Sequence, residues 1–176
     1  MSVALLILSV VILGFIAWQD FRERVVSVWA LTLLTIAQLL SGFIRSGSET
    51  LLRQSAQNAL ITLSLLTMVW IYDMVKNRKL INLFKNGVGT ADLLLLFILG
   101  TALPTFIFVF VILIGFILAL ICTLVVNQVR TPREQTIPLA GYLSVWAILL
   151  IILSMVFPQY PLHDDEWLIF ILTGNL

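Results

Sequence analysis

"TFIFVFVILIGFILALICTLVV", residues 105–126, holds no charged side chain. An apolar run of about 18 or more residues is long enough to cross the hydrocarbon core of a bilayer as a helix. Inside that core a helix satisfies its own backbone hydrogen bonds, which an isolated extended segment cannot do. The stretch therefore reads as a membrane-spanning helix, and comparable runs flank it at approximately 2–19, 28–44, 56–75, 92–103 and 138–157. The run at 92–103 is short, and Pro104 either ends it or kinks a longer helix. These runs predict an all-α fold: one membrane-embedded domain over residues 1–176, a polytopic bundle of about six transmembrane helices.

Composition agrees. The 176 residues are 61% hydrophobic and 11% charged, against about 25% charged in an ordinary soluble domain. A net charge of +1 without a basic block gives no reason to expect a nucleic-acid partner. The single cysteine, Cys122, offers neither a disulfide framework nor zinc-ligand spacing. His163 has no second ligand nearby in sequence, so no metal and no cofactor is expected. "MSVALLILSVVILGFIAWQ" at 1–19 lacks a basic n-region and reads as a retained first span. After the last span, "PQYPLHDDEW" reads as a polar turn, and "WLIFILTGNL" is too short to cross, an interfacial tail anchored by Trp167.

Eight of the ten basic residues fall in alternate loops: Arg22 and Arg24, then Lys76, Arg78, Lys79 and Lys85, then Arg130 and Arg133. Only Arg45 and Arg53 lie on the opposite side. The positive-inside rule then puts the N-terminus outside and the three basic loops in the cytoplasm. Asp20, ending the first span, and Asp92, beginning the fourth, thereby come to the same face.

Each acid has a structural reading. Asp20 sits at a helix end with Arg24 four residues on. Asp92 lies in a first helical turn that Thr90 is placed to cap, where the helix dipole favours an acid by about 0.3–1 kcal/mol. The chemical reading starts from cost, since a carboxylate at the hydrocarbon edge is expensive unless it faces a polar cavity. Two facing carboxyls repel when both ionise, so they share a proton. One then takes a proton from water while the other donates to a carbonyl oxygen, the division of labour of an aspartic protease. In "GVGTAD" at 87–92, Gly87 and Gly89 would let a substrate backbone or another helix approach the acid, and would equally serve a plain loop. Asp73 competes as a partner but has Lys76 close by; Glu23 and Glu134 read as loop charges, Glu23 placed to meet a basic substrate segment.

Three stretches, in this order and at these membrane positions, resemble the type IV prepilin peptidase family. "DFRERVVSVW" at 20–29 is similar to the family's first aspartate motif, and "GVGTADLLLLFILG" at 87–100 to its Gly-x-Gly-Asp motif. "TIPLAGYLSVWAILL" at 136–150 is similar to the segment that opens its last helix. The resemblance implies a catalytic pair, Asp20 and Asp92, with Gly87, Gly89, Ala91 and Glu23 on the substrate side. The implied activity is cleavage of the basic leader from prepilin-like or pseudopilin precursors, which are themselves transmembrane helices, at the cytoplasmic face of the inner membrane. With one cysteine there is no tetracysteine cluster, so the likeness is to the short peptidase-only branch. The sequence departs from the family at Ala91 (glycine), Leu94 (lysine) and Ser27 (proline). Alanine adds a methyl beside the acid and disfavours a positive φ, and loss of the lysine removes a neighbouring charge. Those departures keep open a second function class, a non-catalytic membrane protein of the same fold that binds or assists a pilus or secretion subunit.

Overall fold

Pro104 marks where the chain must turn, because the residue before a proline is pushed out of the helical region. In the computed structural model Leu103 is extended, at φ −111° and ψ 143°, so Pro104 ends one helix and opens another. The structure describes residues 3–77, 89–129, 138–157, 161–162 and 164–173. Among them are six helices and no strand: α1 (Val3–Glu23), α2 (Val28–Asn77), α3 (Thr90–Ala102), α4 (Thr105–Val129), α5 (Leu139–Val156) and α6 (Glu166–Thr173).

The expected loop near residues 45–55 is helical. The second and third expected spans are two limbs of α2, broken only at Gly47, whose φ of 74° and ψ of 171° no helix contains. Sequence reading placed a loop there because charges, Arg45 and Arg53 among them, interrupt the apolar pattern, although charge by itself does not unwind a helix. Four helices (α1, α2, α4 and α5) are long and apolar enough to cross a membrane. The 13 residues of α3 rise only about 20 Å, short of the roughly 30 Å hydrocarbon core.

The bundle pairs α2 with α3, α1 with α5, α4 with α5, and α1 with α2. Leu13, Ile16, Leu34, Leu95, Phe108 and Leu143, drawn from α1 to α5, are fully buried and form the core. Leu113, Ile117, Leu120 and Leu124 form an exposed apolar stripe along α4, as a helix facing hydrocarbon presents.

Polar side chains settle the helix ends. Asn58, fully buried on α2, donates through Nδ2 to the Gly100 and Leu103 carbonyls, each at 2.8 Å. These belong to the end of α3, where carbonyls lack helical donors. Asn58→Leu is therefore expected to cost about 1–2 kcal/mol of stability, seen as a lower unfolding midpoint in detergent. Asp165 performs the converse task for α4, accepting from the Phe106 and Ile107 amides at 3.3 and 3.1 Å. The tail after it is the eight-residue α6. Leu168 is buried there against Ile107, Val111 and Leu150, and Trp167 donates to the Pro161 carbonyl. The tail is thus docked on the bundle end.

Candidate functional site

Asp20 lies in the last turn of α1, 7% exposed. The helix stops after Glu23 because Arg24 turns to a φ of 56°, the one positive value among the described non-glycine residues. The Arg24 amide donates to the Asp20 carbonyl at 3.2 Å, closing the last turn. The expected helical spacing of Asp20 and Arg24 is therefore corrected: Arg24 is outside the helix, although its charge still acts on Asp20. Gln19 fixes the following turn. Its Oε1 accepts from the Ser27 amide at 3.1 Å and the Ser27 hydroxyl at 2.8 Å, while the Ser27 carbonyl accepts from Ala30 at the start of α2.

Asp92 is in the first turn of α3, half-buried. Thr90 is the first helical residue and not the cap, a position held by Gly89 at φ −62° and ψ 134°. A methyl group built on Gly89 would lie 2.7 Å from Asp92 Oδ2. With a side chain at 89, the Asp92 carboxylate would have to move from this position.

The two acids meet at the start of α5. Ala140 N–H donates to Asp92 Oδ1 at 2.7 Å, and Gly141 N–H donates to Asp20 Oδ2 at 2.6 Å. The first four amides of a helix have no partner within it, and they carry the positive end of its dipole. Two adjacent amides thus gather two carboxylates from α1 and α3 and hold them near enough for Asp20 to act electrostatically on Asp92. Gly141 permits the approach: a methyl group there would stand 3.1 Å from Asp20 Oδ2 and from the Phe21 ring. Phe21 and Tyr142 cross edge to face beside the pair, centroids 5.1 Å apart. The arrangement places two carboxyls on adjacent amides of one helix start, with the Gly89 backbone a further partner of Asp92.

The departures from the resembled motifs each have a local explanation. Ala91 is helical, without a positive φ, and its methyl packs against the core; the expected backbone penalty for alanine does not arise. Leu94 is 46% exposed, directed away from the bundle. Ser27 uses an amide hydrogen that proline lacks. Glu23 is exposed at the end of α1. Gly87, Glu134 and His163 lie outside the described residues, as does the side chain of Asp73.

Sequence reading missed the Ala140 and Gly141 amides, Gln19 and Asn58. Pro138 ahead of an apolar run did signal a helix start, and with it unpartnered amides. An amide side chain such as Asn58 inside an apolar run signals a buried partner. Comparisons of this chain with protein-family models, curated proteins and solved structures gave no match.

Proposed function

We propose that this protein is a membrane aspartic endopeptidase that removes the basic leader from prepilin-like precursors. The aspartate end of the bundle would face the cytoplasm from the inner membrane, with the N-terminus outside. The observation that carries the reading is the pairing of Asp20 and Asp92 on adjacent amides of α5. With one carboxyl ionised and one protonated, a water bound between them loses its proton to the first as its oxygen attacks the scissile carbonyl. The second donates its proton to the carbonyl oxygen. Collapse of the tetrahedral intermediate re-forms the carbonyl, breaks the C–N bond and sends a proton to the leaving amine. The substrate's apolar helix would lie in the bilayer while its leader crosses the exposed Gly89.

The test is incubation of the protein, in detergent or lipid, with prepilin-like substrates from the same genome, leader removal being followed by mass spectrometry. Cleavage dependent on both aspartates is the expected result. Substrate binding without cleavage, equal in wild type and in Asp20→Asn and Asp92→Asn variants, would overturn it in favour of a non-catalytic binding protein of the same fold.

A further inference from the structure

The end of the bundle remote from the aspartates is hollow. A cavity of about 440 Å³ opens among α1 to α5, within the roughly 300–1,000 Å³ range of small-molecule sites. Helical interiors are otherwise close-packed, with few voids larger than a water molecule. The cavity runs along the helices, from Leu13 and Ala147 at its inner end to Leu6 and Met155 at its outer one. Leu13 is about 10 Å along α1 from Asp20 and Leu6 about 20 Å, so the cavity shares no residue with the paired acids.

Its chemistry is asymmetric. The inner walls are mostly aliphatic, with Leu99, Val111 and Ile151 joining Leu13 and Ala147, and the buried Gln38 is the polar side chain among them. Arg45 and Ser154 line the outer part of the cavity. Arg45 is half-buried, and its Nη2 donates to the buried Ser41 hydroxyl at 2.9 Å. It lies at the end of the first limb of α2, two residues before the Gly47 break, and a guanidinium matches the planar oxygens of carboxylate and phosphate groups. An elongated, mostly aliphatic slot with one cationic end is complementary to a chain with one anionic end.

We propose that the cavity binds the acyl chain of a single-chain anionic amphiphile, its carboxylate or phosphate head at Arg45 and its tail reaching toward Leu13 and Ala147. This site is independent of the protease reading and stands or falls without it.

The test uses the full chain in maltoside detergent and palmitate carrying a terminal diazirine. After irradiation, adducts are mapped by peptide mass spectrometry. Adducts are expected at Leu13, Leu99 and Ala147, suppressed by unlabelled palmitate. Lysophosphatidylglycerol competing better than palmitate would assign a phosphate head, and the reverse a carboxylate. Arg45→Gln is expected to lower labelling about tenfold, and Ala147→Phe, which fills the inner end, to abolish it there. Hexadecanol competing as well as palmitate would overturn the anionic head, and inorganic phosphate competing as well would overturn the chain. Adducts confined to the exposed stripe at Leu113 and Leu120 would overturn the site itself. The competition arms use wild-type protein alone, so they decide even where a variant fails to fold.

Discussion

Asp20→Asn and Asp92→Asn each lower leader cleavage by about 10⁴-fold, and the double variant falls no further; this is the expected result of single-turnover assays on the three proteins. The size follows from general acid–base catalysis, worth about 10²–10⁴ for a positioned group, with the upper end applying where two groups act as one. Removing either member of such a unit removes the function of both, so the effects do not add. Stability is the control. A carboxamide keeps an oxygen that accepts from the Ala140 or Gly141 amide, so each single variant should unfold within about 1 kcal/mol of wild type. Losses that multiply in the double variant would show the two acids acting separately. A single variant retaining a tenth of the activity would remove that acid from the chemistry.

Gly89→Ala separates positioning from folding. The added methyl lies 2.7 Å from Asp92 Oδ2 and 3.3 Å from Cγ, too close for both to stay. The carboxylate is the end of a rotatable side chain, and it is what moves. Backbone strain is absent, because a φ of −62° suits any residue, and the weaker cap costs about 1 kcal/mol. A displacement on the order of 1 Å at a reacting group costs about 100-fold in rate. The expected pattern is a small change in unfolding midpoint with a fall in kcat of about two orders of magnitude. Ala91→Gly is the companion, expected to change kcat less than about threefold because the Ala91 methyl packs against the core. A tenfold gain in that variant would mean that alanine hinders the acid after all.

Local signals made much of this legible. Uncharged runs and the basic residues between them located α1, α4 and α5 to within a few residues, since both reflect the cost of charge in hydrocarbon. The two acids stood out for the same reason. The α2 break was placed correctly but drawn too long because charges were read as a loop, whereas Gly47, the one residue there that adopts a non-helical conformation, carried the signal. Tertiary partners were beyond reach. Backbone amides have no side chain to betray them, so nothing local links residue 140 or 141 to an acid. The role of Asn58 likewise depends on α3 ending beside it.

The bond from Gly141 to Asp20 joins residues 121 positions apart, and that from Ala140 to Asp92 joins residues 48 apart. Synthesis runs from the N-terminus, so both acids are made long before the amides that gather them. A nascent chain halted ahead of Pro138 has the two carboxyls and no helix start to bring them together. Completion of the pair therefore waits until α5 has been made and packs against α1. A half-made chain cannot carry the finished pair.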